Sequence, residues 1–389
     1  MPAGTATGSA QQLVPVMIWI HDPTVLVARS ASLGKPIIVV TLNYRLNMFS
    51  FGDGTDEGNL ALKDQRRAIE FVKLHITPFG GDPDNMTIAG ESAGAVYCHA
   101  HAVMGVSARQ CILQSGTLYL SPPRPKSTAE TLIRSVSEHL AQAGGWTLRT
   151  APVSVLLEAQ RKLQLESFYL QMEEPLEGWQ EATCNVERVL IGDTEYESVL
   201  WRNGIETLSP SFISDAFDLA GEKSAYLKRH YGIVTDRPVS CKLGALDLLH
   251  DARFSWPIEM FIQQHRSSGR PAFRFLVDQP NPWQTSSRPH HGVDLVYLFG
   301  GFDFSFDHAA QRVSAAMQER WITFVHGHDP WEREDSFAFG PVGECKLLSH
   351  VELAARRRVR HFDLLRDIGQ ERVELIVQTL AAGRSSLLN

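Results

Sequence analysis

The chain has 389 residues, 43% hydrophobic and 21% charged, the composition of an ordinary soluble globular protein with a large core. Its 37 basic against 44 acidic residues give a formal charge of −7, and no long basic run is present, which argues against nucleic acid as a partner. Apolar runs such as Pro36-Ile37-Ile38-Val39-Val40 are far too short to span a bilayer, so no transmembrane segment is expected. In chain order, Pro15 to Ile20 and Pro36 to Tyr44 are near-continuous apolar runs that suit strands buried on both faces of a parallel sheet. Residues 59–76 place Leu62, Ala68, Ile69, Phe71, Val72 and Ile76 at helical spacing, predicting an amphipathic helix. Strand character returns at Asn85 to Ala89, Cys111 to Gln114, Val189 to Gly192 and Phe273 to Val277, and Ser121 to Pro125 reads as a loop. Residues 308–325 and 350–366 predict two late helices. Strands separated by helices imply an α/β fold with a covered, predominantly parallel sheet, and because large α/β folds often run as one unit, a single domain is expected over 1–389.

Gly90, Glu91, Ser92, Ala93 and Gly94 form a G-x-S-x-G sequence between a predicted strand and a run open to helix. A serine held at such a turn projects its hydroxyl out of the sheet at the positive end of a helix, and the sharp backbone needs glycine on both sides. This presentation lets a weak nucleophile reach an ester carbonyl, and Ser92 is the candidate. Such a serine needs a base within hydrogen-bond reach and an acid to orient the base. Glu197, just past the strand at 189–192, and His291, after the strand at 273–277, follow in the order Ser, acid, His.

These and further motifs resemble the type-B carboxylesterase/lipase family, an α/β-hydrolase family that includes fungal carboxylesterases. The matching pieces are Asn43-Tyr44-Arg45-Leu46, Gly58-Asn59-Leu60 with Asp64-Gln65, Phe79-Gly80-Gly81-Asp82-Pro83, and Glu91 directly before the serine. Gln114-Ser115-Gly116, His291-Gly292 with Asp294 and Phe299-Gly300, and Met317-Gln318, Trp321, Phe324 and Asp329-Pro330 complete the match. The resemblance implies an α/β-hydrolase fold, hydrolysis of a small-molecule ester through an acyl-enzyme on Ser92, and no cofactor. It assigns His291 as base rather than His290, because the family's histidine directly precedes a glycine. Glu197 becomes the acid, with Asp193 and Glu195 as rivals, since the family acid usually precedes glycine and Ser198 follows Glu197. Ala93 would donate its N–H to the oxyanion, and Glu91 would either tune the local electrostatics or support the loop.

Two departures stand out against the family pattern. Where it places a glycine-rich oxyanion loop, this chain reads His21-Asp22-Pro23-Thr24, followed almost at once by the family segment Val27-Ala28-Arg29-Ser30. Loss of these donors predicts reduced activity, and Asp22 would repel a developing anion. The start of the chain so close to this strand predicts a fold incomplete at its N-terminal side, with an open sheet edge, as in a truncated or mis-spliced product. Such a chain could also be a non-catalytic hydrolase-like protein. The lack of a signal peptide and the five scattered cysteines (Cys98, Cys111, Cys184, Cys241, Cys345) predict a cytoplasmic protein with reduced thiols. Cys98, His99 and His101 are read as a packed helix face rather than a metal site, His326-Gly327-His328 as a loop, and Arg356-Arg357-Arg358 with Arg360 as a solvated face.

Overall fold

The structure is a computed structural model that describes residues 13–19, 24–52, 57–163, 165 and 170–382. Eight strands form one sheet: β1 (Val14–Trp19), β2 (Ile38–Thr41), β3 (Gly81–Glu91), β4 (Gln110–Gln114), β5 (Arg188–Thr194), β6 (Ala272–Val277), β7 (Ser336–Phe339) and β8 (Cys345–Leu348). Their order is β2-β1-β3-β4-β5-β6-β7-β8, with every pairing parallel except the terminal β7–β8 pair. The expected parallel α/β sheet is therefore present. The β7–β8 pair has no counterpart in the sequence reading, because four-residue strands carry too little pattern to register. Among the described residues, β2 borders only β1, so the sheet ends there. Ile20, at the end of the first predicted strand, and the His21-Asp22-Pro23 segment lie outside the described residues.

Alternate side chains of the apolar runs feed two separate cores, as strand geometry requires. Met17, Trp19, Ile112, Leu190, Phe273 and Phe275 face one side and pack with Tyr297, Met317 and Trp321. Val16, Ile18, Ile88, Leu113, Val189 and Ile191 face the other and pack with Ile69, Val72, Ala95 and Ile258. A third core is built mainly from helices, joining residues of 201–256 to Phe362, Leu365, Ile376 and Val377 near the end of the chain.

The first helix, α1 (Thr24–Ser32), follows β1, and the predicted amphipathic segment forms α2 (Leu60–His75). Phe71 departs from the predicted buried face: it is 63% exposed and lies against the His75 ring. At 3.6 residues per turn it falls outside the stripe made by Leu62, Ile69 and Val72. Motif residues near α2 act as clamps. Arg45 grips Asp64 through two side-chain hydrogen bonds of 2.7 Å, and Asn59 exchanges two 2.8 Å bonds with the Gln171 backbone.

The predicted helix over 350–366 is broken. One helix spans His350–Arg356, Arg357 is extended (φ −131°, ψ 144°), and another spans Phe362–Ile368. Arg356, Arg357 and Arg358 are correspondingly not a solvated face, while Arg360 is exposed. Arg357 is 2% exposed and ion-pairs with Asp193 and Asp278, both at 2.9 Å. Arg358 pairs with Asp251 at 2.9 Å, and Arg356 with Asp278 at 2.9 Å. Carboxylates distant in sequence draw these guanidinium groups inward, since a buried charge persists only when paired. Replacing Arg357 with leucine leaves Asp193 and Asp278 without their shared cation, and a loss of about 3–5 kcal/mol in urea unfolding is the expected outcome.

Candidate active site

The site stands at the carboxyl ends of the central strands, where loops of a parallel sheet converge. Gly90 and Glu91 end β3 in register with Leu113 and Gln114 of β4, and Gln114 pairs with Gly192 of β5. Ser92 follows with φ 54° and ψ −120°, and α3 (Ala93–Val103) begins at the next residue. This is a backbone conformation that a side-chain-bearing residue seldom adopts, so the surroundings must enforce it. A Cβ on Gly90 would lie 2.4 Å from the Gly94 carbonyl carbon, and one on Gly116 would lie 2.6 Å from the Ser92 carbonyl oxygen. Neither position has room for a side chain. The strand and helix therefore approach closely enough to pin the serine between them. Ala93, first in α3, carries one of the backbone N–H groups that a helix start leaves free.

Ser92, His291 and Glu197 are brought together from three distant segments. His291 Nε2 lies 2.8 Å from Ser92 Oγ, and His291 Nδ1 lies 2.5 Å from Glu197 Oε2. A carboxylate only accepts, so Nδ1 carries the ring proton and Nε2 presents its lone pair to the Ser92 hydroxyl. This arrangement can remove a hydroxyl proton and stabilise the resulting imidazolium. Glu197 is fully buried, and its Oε1 accepts the Thr194 N–H at 2.6 Å. The rival acids are committed elsewhere: Asp193 to Arg357 and Glu195 to Arg288 at 2.7 Å. The His290 ring turns away and lies 2.9 Å from the His291 carbonyl oxygen.

The two loops that carry the acid and the histidine are tied to each other. Tyr196 N–H donates to the Pro289 carbonyl at 2.8 Å, and the Arg288 guanidinium lies over the Tyr196 ring at 4.5 Å. A hydrogen-bonded layer beneath them includes residues to which the sequence motifs gave no role. Gln114 Nε2 donates to Asp294 Oδ2 at 2.5 Å, and Gln114 Oε1 accepts from Trp321 Nε1 at 2.9 Å. Membership of the Gln114-Ser115-Gly116 and His291-Gly292-Val293-Asp294 motifs is the signal by which these could have been found. The cluster at Cys98 is a packed helix face, as read. His99 accepts the Leu118 N–H at 3.0 Å, and the His101 ring meets Gln65 Oε1 at 3.0 Å.

Glu91 faces the same ring nitrogen as Ser92. Its Oε1 lies 3.3 Å from His291 Nε2, beside the Ser92 contact, and takes no hydrogen bond. Burial pushes its carboxyl up to about 8. Burial alone would depress His291, but the Glu91 and Glu197 carboxylates outweigh it and lift the ring to about 9. Asp294 is raised to about 6 by burial, against the hydrogen bond from Gln114. Three carboxyl groups thus surround one imidazole and favour its cationic form. Replacing Glu91 with glutamine removes one of them, so the His291 pKa followed by NMR titration is expected to fall; an unchanged value would show that Glu91 is not coupled to the ring.

A sequence model described as the Carboxylesterase family matches residues 2–362. Lipase 3 of Yarrowia lipolytica is 28% identical over 400 aligned residues, covering 93% of this chain and 77% of the lipase. A protein of Byssochlamys spectabilis named inactive carboxylesterase-like protein VdtD is 40% identical over 124 residues, or 26% of this chain and 21% of VdtD. Among solved structures, one of PNB esterase superposes with a TM-score of 0.66 at 23% identity, covering 90% of this chain and 81% of the esterase, which establishes the α/β-hydrolase fold. With the family match spanning nearly all of the sequence, the chain belongs to the carboxylesterase family.

Proposed function

We propose that the protein is a serine hydrolase that cleaves small carboxylic esters through an acyl-enzyme on Ser92. Family membership supports ester hydrolysis as the general chemistry. The observation that carries the specific reading is the chain of hydrogen bonds from Ser92 Oγ through His291 to Glu197. Ser92 Oγ attacks the ester carbonyl carbon as its proton passes to His291 Nε2, and the carbonyl π electrons move onto oxygen. Collapse of this tetrahedral species breaks the bond to the alkoxy group, which leaves with the proton from Nε2. Water then attacks the acyl-serine by the same path, releasing the acid and restoring Ser92. Glu197 holds the imidazole in the required tautomer throughout. No cofactor takes part in this scheme.

The oxyanion is the weak point of the proposed enzyme. Ala93 N–H supplies one donor, while the sequence His21-Asp22-Pro23 replaces the glycines that would supply others. Loss of one such donor slows acyl transfer by about 10²–10³, so we propose a slow enzyme. A second reading, a non-catalytic protein of the same fold, draws support from this same segment and from the named inactivity of VdtD.

Two measurements decide between them. With 4-nitrophenyl acetate, the wild-type protein is expected to turn over measurably and Ser92→Ala to fall to the buffer rate; equal rates for the two would rule out the enzyme. The pH profile supplies the second. An imidazolium cannot accept the Ser92 proton, so activity rises as pH climbs through the His291 pKa. Because that pKa is raised, the acid limb of kcat/KM is expected on the alkaline side of the ordinary histidine value of about 6.5.

A further inference from the structure

Behind Glu197, on the side away from His291, lies a buried histidine that neither the sequence motifs nor the proposed chemistry uses. Glu197 opens a short 3₁₀ turn over Glu197–Trp201, so its own N–H has no acceptor within that turn. His250 Nδ1 supplies one at 3.2 Å. Accepting through Nδ1 places the ring proton on Nε2, which faces Ser255 Oγ at 2.9 Å. The Ser255 hydroxyl then donates to Asp193 Oδ2, and Asp193 Oδ1 accepts from Arg357 Nε at 2.9 Å. Donation therefore runs in one direction from Glu197 through His250 and Ser255 to Asp193, which accepts from both Ser255 and the buried Arg357.

The local backbone makes this possible. His250 ends the helix Pro238–His250, and a turn of π-helix over Asp251–Ser255 joins it to the helix Trp256–Ser267. The i→i+5 spacing of a π turn brings His250 and Ser255 together, and such widened turns recur at functional sites. The same turn sets the Phe254 ring against the His291 imidazole, with centroids 5.7 Å apart. Both members of the His291–Glu197 pair are therefore braced by residues 250–255. Burial and the nearby Arg358, Arg357 and Arg288 hold His250 well below its ordinary pKa, so it stays neutral and keeps the lone pair that Glu197 needs.

We propose that His250 is a positioning residue: its neutral ring anchors the Glu197 main chain so that the carboxylate meets His291 Nδ1. This rests on the reading of Ser92, Glu197 and His291 given above. Displacements of about 1 Å in such a constellation cost up to about 100-fold in rate.

The test uses the full-length protein and two substitutions. His250→Leu removes the acceptor, whereas His250→Asn keeps an oxygen at the Nδ1 position. His250→Leu is expected to lower kcat on 4-nitrophenyl acetate by about 10–100-fold with little change in KM, and His250→Asn to recover most of the loss. The low-field proton resonance of His291 Nδ1–H is expected in the wild type and in His250→Asn, and to be lost in His250→Leu. An unchanged kcat and resonance in folded His250→Leu would overturn the proposal, as would an Asn variant as impaired as the Leu variant. If His250→Leu does not fold, Ser255→Ala releases the tautomer lock and is expected to lower kcat and broaden that resonance; no change in either would overturn it. The resonance needs no turnover. A failure of the enzyme reading, with Ser92→Ala as active as wild type, therefore leaves the role of His250 separately decidable.

Discussion

The backbone at Ser92 is the constraint on which the site depends. A serine at φ 54° and ψ −120° gains nothing locally from that conformation. It is held because β3 and α3 close on each other where Gly90 meets Gly94, and because Gly116 lets the next loop lie against the Ser92 carbonyl. The sheet contributes by register: the ends of β3 and β4 lie level with Gly192 of β5, so Ser92 N–H donates to the Gln114 carbonyl and Ser115 N–H to the Gly192 carbonyl. The strain at one residue is thus distributed over three strand ends, each buried in the two cores that cover the sheet faces.

Around this point the protein has concentrated buried charge and made most of it answer to a partner. Glu197 accepts from Thr194 and contacts His291, Asp193 and Asp278 share Arg357, and Asp251 is held by Arg358 and Tyr231. Glu91 is the exception. Its Oε1 takes no hydrogen bond, and burial raises its carboxyl beside an imidazole that the neighbouring carboxylates raise in turn. A buried acid with no hydrogen bond is costly in isolation, and 3.3 Å from His291 its effect is to bias the charge state of that ring. The buried arginines and the helical core of 201–256 and 362–380 lie on the acid side of the site, so the late part of the chain supports Glu197 from behind.

How much of this was legible follows from the reach of each signal. The G-x-S-x-G turn, the long helix over 60–75 and the strands at 189–194 and 272–277 declare themselves through local spacing and continuous apolar runs. Family motifs extended that reading to His291 and Glu197. The motifs could not say that Gln114 and Trp321 bond to one another, nor that Asp294 closes the layer, because a spacing pattern carries no information on contacts between segments 180 or 207 residues apart. The short β7–β8 pair and the π turn at 251–255 left no periodicity to detect.

By itself, the sequence determined the α/β class, the glycine-flanked turn at Ser92 and the chain order of Ser92, Glu197 and His291, since these depend on residue type, local backbone preference and chain order. The family resemblance already favoured Glu197 over Asp193 and Glu195, and only the tertiary structure shows what lies opposite each: His291 for Glu197, Arg357 for Asp193 and Arg288 for Glu195. It also reversed the reading of Arg356, Arg357 and Arg358. A run of three arginines looks solvated until the fold brings Asp193, Asp251 and Asp278 to meet it, more than 75 residues away in every case. Likewise, nothing local distinguishes His250 from any other histidine near a helix end. Its place behind Glu197 exists only because a widened helical turn and the end of β5 come together in the folded protein.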